Sequence, residues 1–116
     1  MSGKFSWFDL AVSDPAAAQS FYADLLGWSM APADGMPPYR AFAMEGDEPW
    51  AGVLDDDELT RGQWVPYVQV DDLDAATGRA TALGARVVRD RMEGPAGSAV
   101  TIADPAGALL CLWVPR

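Results

Sequence analysis

Histidine is absent from the 116 residues, and cysteine occurs once, as Cys111. The first absence removes the commonest metal ligand and the commonest proton-transfer group at neutral pH. The second excludes an internal disulfide and accords with a reducing compartment. Cations are scarce too, since eight scattered Lys and Arg stand against 17 Asp and Glu, a formal charge of −9. Nucleic-acid binding draws on clustered positive charge and is not expected. The acidic excess serves solubility and mildly favours a cationic partner. No apolar run approaches the ~20 residues that span a bilayer. Met1-Ser2-Gly3-Lys4 leads into the first apolar segment without a signal-peptide core, so a cytoplasmic protein with no membrane partner is expected.

What is present is repetition. Trp7 and Asp14 in the first apolar stretch return 57 residues later as Trp64 and Asp71, and the same offset carries Leu26-Gly27 onto Leu83-Gly84. One offset joins a strand start, a helix start and a helix end, which marks two copies of one supersecondary unit. Half of the residues are apolar, enough for one compact domain of residues 1–116 and too few for two.

Alternation places a strand at 4–12, followed by a helix with Asp14 as N-cap, Pro15 at its first position and Gly27 as its stop. Its apolar stripe comprises Ala17, Phe21 and Leu25 with Ala18, Tyr22 and Leu26. Strands at 28–30, 39–44 and 50–54 complete the first unit, with a proline-rich loop at 31–38. An acidic linker, 55–62, precedes the second unit: a strand at 63–70, a helix capped by Asp72 or Asp74, and strands at 86–90, 99–103 and 108–114. A loop at 91–98 separates two of these strands. The fold class is therefore α+β, two tandem βαβββ units at about 4–54 and 63–114, whose curved mixed sheets surround a concave cavity. Phe8, Leu10, Val12, Leu110, Leu112 and Val114 face the helices, and their neighbours face the concavity.

This order, with Phe21-Tyr22 and Leu26-Gly27-Trp28 after an Asp-capped helix and Asp104-Pro105-Ala106-Gly107-Ala108 before the last strand, resembles the vicinal-oxygen-chelate superfamily. That superfamily includes glyoxalase I, extradiol dioxygenases, fosfomycin-resistance enzymes and bleomycin-resistance proteins. The resemblance implies four metal-ligand places, normally His, Gln or Glu, early in the first strand and late in the last strand of each unit. They fall here on Trp7, Trp64, Leu54 and Cys111. Indoles and an alkyl group offer a divalent cation nothing, and one thiol cannot replace the shell, so no metal or other cofactor is expected. A one-residue slip would bring Asp9 or Glu45 into consideration.

Alternation sends Trp7, Trp50, Trp64 and Trp113 to the concave face, with Cys111 and Asp9 beside them. The expected ligand-binding set is Trp7, Asp9, Trp28, Tyr39, Trp50, Trp64, Cys111 and Trp113. Indoles stack on planar or cationic groups at roughly 0.5–2 kcal/mol per contact. Each residue also has a plainer role. The rings can fill a core, Asp9 can pair with Arg40 or backbone N–H groups, and Cys111 can serve as a small hydrophobe. No nucleophile–base pair or phosphate-cradling loop is present, and Asp9 leads Glu45 and Tyr39 as a candidate base.

Three functions follow. The first is a metal-free protein binding a small aromatic or cationic molecule, like the drug-sequestering, antibiotic-resistance branch of the superfamily. The second is a glyoxalase-like or dioxygenase-like metal-dependent lyase or isomerase with non-standard ligands. The third is a structural or regulatory module whose concave face meets another chain. The resemblance also implies a homodimer.

Overall fold

The computed structural model describes residues 3–56, 62–94 and 96–116. Most of the expected acidic linker thus lies outside the described residues. Among those described are eight strands and two helices: β1 (Phe5–Val12), α1 (Pro15–Leu26), β2 (Ser29–Pro32), β3 (Tyr39–Glu45), β4 (Glu48–Asp55), β5 (Gln63–Gln69), α2 (Leu73–Ala82), β6 (Arg86–Gly94), β7 (Gly97–Ala103) and β8 (Leu109–Pro115). The class is mixed α+β, in the order read from the sequence. No helix among the described residues is long and apolar enough to cross a membrane.

Contacts divide the chain into two compact sets, Phe8–Trp64 and the chain start through Trp7 with Val65–Arg116. In the first, the strand order is β2-β3-β4-β1, with β1 and β4 parallel and the other pairs antiparallel. Asp14 accepts a hydrogen bond from Ala17 N at 3.1 Å, and Gly27 closes α1 in the left-handed conformation. The core is Leu10, Ala41 and Val53, onto which Ala18 and Tyr22 of α1 pack. The expected stripe was too wide. Phe21, Leu25 and Leu26 are 57%, 62% and 53% exposed, because the strands below present few side chains to the helix and one ridge of α1 covers them.

The second set has the order β5-β8-β7-β6, with β5 and β8 parallel. Asp72, not Asp74, caps α2, accepting from Ala75 N at 3.0 Å. Leu73, Val100, Ile102 and Leu112 form its core, flanked by Ala76, Ala80, Leu110 and Val114. The helix-facing residues of β8 are thus the ones alternation gave.

The loop expected at 91–98 is instead mostly strand, with β6 and β7 paired as far as Gly94 and Gly97. Side chains hold this extension. Arg91 donates to Glu93 at 2.7 Å and to Asp74 on α2 at 3.3 Å, and the Ser98 hydroxyl donates to Glu93. The bonds from Arg91 and Ser98 hold the Glu93 carboxyl below its ordinary value of 4.5. Gly97 has φ 152° and lies against β8, where a Cβ would fall 2.9 Å from Pro115 Cα and 3.0 Å from Val114 C. Backbone cannot yield as a flexible side chain can. Gly97→Ala is therefore expected to cost on the order of 2–4 kcal/mol, measured as a lowered urea midpoint at unchanged m-value.

Candidate functional site

Asp9, at 4% exposure in β1, is one of two buried acidic residues among those described, with Asp56. Its neighbours Leu10 and Val12 face α1. Asp9 points the other way, and the Tyr39 hydroxyl donates to its Oδ1 at 2.7 Å. Removing that donor from a buried carboxyl group would leave an acceptor to be desolvated without it. Arg40, one of the expected partners of Asp9, instead pairs with Asp55 at 3.3 Å.

Tyr39 reaches Asp9 because regular alternation fails in β3. Register shifts between Tyr39 and Ala41, which pair with the consecutive residues Leu54 and Val53. One extra residue, Arg40, turns Tyr39 to the face opposite Ala41. Its ring then lies 5.1 Å from that of Phe42 and beside Gly52, which is the register partner of Asp9 on β4. Tyr39 is also one of the residues lining a cavity of about 640 Å³ formed by the 33–40 segment and Asp55. Asp34, Arg40 and Asp55 are its charged residues, and the Pro37–Pro38 peptide in its wall is cis.

The tryptophans do not assemble as expected. Trp28, Trp50 and Trp64 gather around Tyr22 of α1, on the helix side. Trp28 stacks on Tyr22 with centroids 4.9 Å apart and planes at 12°, while Trp50 and Trp64 meet Trp28 edge-on at 4.7 and 6.0 Å. The Trp64 indole N–H donates to the Tyr22 hydroxyl at 3.0 Å. A smaller cavity of about 300 Å³ adjoins these two residues and is otherwise lined mainly by Leu10, Val12 and Ala18.

Two local facts explain the correction. Ala43 pairs with Ala51 and Met44 with Pro49, so Trp50 is an extra residue in β4 and its side chain leaves the face that alternation assigns. For Trp64, the offset between the units is 58 at the helix caps, Asp14 to Asp72, so the twin of Trp7 is Val65. On β5, Val68 pairs with Leu112, and Val70, just beyond its end, packs against the α2 core. Trp64 shares their parity.

Trp113 and Cys111 keep the face expected of them. Trp113 meets Tyr67 edge-on at 6.4 Å and donates to Ser6 Oγ at 3.2 Å, and Cys111 Sγ lies 3.1 Å from Thr101 Oγ1. Trp7, half-buried, shares the alternation of Asp9, and Glu45 sits exposed at the end of β3. Sequence reasoning missed Gly52, although a glycine inside a strand is itself a signal of close approach by another group.

A family model described as a glyoxalase-like domain matches residues 7–113. The chain belongs to that family. It lies within the vicinal-oxygen-chelate superfamily. The anthracycline biosynthesis protein DnrV of Streptomyces peucetius is 31% identical over 128 residues, covering 96% of this chain and 46% of DnrV. The chain thus spans just under half the length of that relative. A glyoxylase-like domain-containing protein of Didymella fabae is 31% identical over 96 residues, 78% of this chain and 75% of that one. Among solved structures, the Mn(II)-bound glyoxalase of Novosphingobium aromaticivorans superposes with TM-score 0.65 at 20% identity over 97% of this chain and 38% of that one. A mutant homoprotocatechuate 2,3-dioxygenase of Brevibacterium fuscum gives 0.67 at 19% identity, covering 97% and 32%. These two likenesses concern the fold.

The superfamily's metal places can now be set by register. Tyr67 pairs with Cys111 as Asp9 pairs with Gly52, so the four places are Trp7, Gly52, Val65 and Cys111, with Gly52 and Val65 replacing Leu54 and Trp64. An indole, a hydrogen, an isopropyl group and one thiol do not fit a divalent cation. The described residues contain no group of three His, Cys, Asp or Glu able to hold one.

Two tyrosine hydroxyls donate or accept within these clusters, and their worth differs. Tyr39→Phe takes a donor from a buried carboxylate and is expected to cost ~1–3 kcal/mol, whereas Tyr22→Phe loosens a half-exposed neutral bond worth ~0.5–1.5 kcal/mol. Urea unfolding of the two variants compares them, and equal costs would show that Asp9 does not depend on Tyr39.

Proposed function

We propose that this chain is a metal-free small-molecule-binding protein whose ligand is planar and carries a positive charge, in the manner of the drug-sequestering proteins it resembles. The observation that carries the reading is the Asp9–Tyr39 pair: a buried carboxyl group holds the phenol of a residue that lines the 640 Å³ cavity. A phenol that gives its proton to a carboxylate turns a more electron-rich oxygen and ring face outward. Asp34 and Asp55 against the single Arg40 leave the remaining lining acidic, and the chain's net charge of −9 favours approach of a cation. Cavities of this size suit drug-sized ligands.

Similarity to DnrV, named for anthracycline biosynthesis, supports the same chemical class. Anthracyclines join a flat fused-ring system to an amino sugar, so one molecule presents a stacking face and an ammonium group. Sequestration asks only for affinity, which the lost metal places do not diminish. The homodimer belongs to this proposal, and light scattering at micromolar concentration tests it, a single-chain mass removing it.

An aminated anthracycline titrated into the protein is expected to quench tryptophan emission saturably, with its aglycone binding about tenfold more weakly. Asp9→Asn is expected to bring the two ligands to similar affinity by weakening the aminated one. Absence of saturable binding by both would remove the reading.

A further inference from the structure

We infer that Gly52 is a positioning residue for cation recognition: its missing side chain is what allows the Tyr39 ring to lie against β4 and present its hydroxyl to Asp9. The inference rests on the ligand reading above and deepens it, by assigning the choice between ammonium-bearing and neutral ligands to a residue that touches neither.

The geometry is specific. A Cβ built on Gly52 would overlap Tyr39 Cε1, stand 2.7 Å from Tyr39 Cδ1, and come within 3.1 Å of Asp9 Oδ1. These three nearest atoms belong to the two partners of the 2.7 Å hydrogen bond. Gly52 is not among the glycines with positive φ, so its backbone would accept alanine without strain. Nothing about the strand demands glycine here. The ring does. β4 places Gly52 opposite Asp9 on one side and opposite Phe42 on the other, so Tyr39, turned over by the extra residue Arg40, settles into the gap left between two side-chain-bearing neighbours. The corresponding pair in the second unit has no such gap, since Cys111 occupies it and lies against Thr101.

With a methyl group at position 52 the ring must lift away from the sheet. Asp9 then loses its phenol donor, and the cavity wall loses the oxygen and ring face that the carboxylate polarises. A neutral planar ligand, held by stacking and shape, has less to lose than an ammonium group.

The test is a double-mutant cycle on the full chain, with Gly52→Ala made in the parent and in Tyr39→Ala, which removes both overlapping ring carbons. Each variant is followed by its melting temperature and by titration with an aminated anthracycline and the aglycone. The expected result is that Gly52→Ala in the parent lowers the melting temperature and weakens the aminated ligand roughly tenfold, with the aglycone changed less than about twofold. In Tyr39→Ala the same substitution is expected to change both readouts much less, leaving only its 3.1 Å approach to Asp9 Oδ1. Equal effects in both backgrounds, equal loss for both ligands, or no effect in the parent would overturn the assignment. If Gly52→Ala alone fails to fold, folding of the double variant supports the clash and its failure overturns it. A parent that binds neither ligand removes the functional reading and with it the role in recognition, while the melting temperatures still decide whether Gly52 seats Tyr39.

Discussion

A carboxylate withdrawn from water must be met by donors or it will not stay ionised, and Asp9 is where this chain faces that demand. The answer is an aromatic residue carried across from β3, and it constrains three elements at once. β1 must turn Asp9 away from α1, β4 must leave a space opposite it, and β3 must turn Tyr39 over to fill that space. Desolvating one carboxylate costs several kcal/mol before any partner is counted. The Tyr39 bond is one of the contacts that offset this cost. Tyr39 also lines the cavity formed by the 33–40 segment and Asp55.

The irregular positions of the sheet matter more than its regular ones. Two register shifts, at Arg40 in β3 and at Trp50 in β4, each reverse the face of a large ring. The first sends Tyr39 to Asp9; the second sends Trp50 to Trp28 and the helix side. Between them they separate the aromatic residues into a polar-anchored pair and a packed cluster. The cluster has its own logic. Stacked and edge-on contacts add ~0.5–1.5 kcal/mol each beyond burial, and Tyr22, Trp28, Trp50 and Trp64 share them around one helix that buries none of its residues fully. The rings thereby supply attachment that the small side chains of Ala41 and Val53 do not.

The fold was legible because its signals are local and redundant. An Asp cap, a proline at the first helical position, a glycine stop and an Asp-Pro-Ala-Gly turn each fix a boundary by backbone chemistry, and they recur in one order. Alternation correctly placed Leu10, Val12, Leu112 and Val114 toward the helices and Asp9 away from them. It failed for Trp50 and Trp64. A bulge is one residue without a distinctive composition, so nothing in 48–55 marks it. For Trp64 the error lay in trusting the likeness of two indoles over the helix caps, which stand one residue further apart. The extended β6–β7 hairpin was missed because its glycines and proline read as a loop, while the Arg91–Glu93–Asp74 bonds that hold it extended depend on side chains brought together only by folding.

The two copies of the unit diverge most at one pair of register positions. In the first, a carboxylate stands opposite a glycine; in the second, Tyr67 stands opposite Cys111. The second pair is closed by neutral contacts, thiol to Thr101 and ring to Trp113, and needs nothing from a ligand. The first holds a charge beside a gap that only a ring from another strand fills. The two units thus share their element order and differ at this pair of positions.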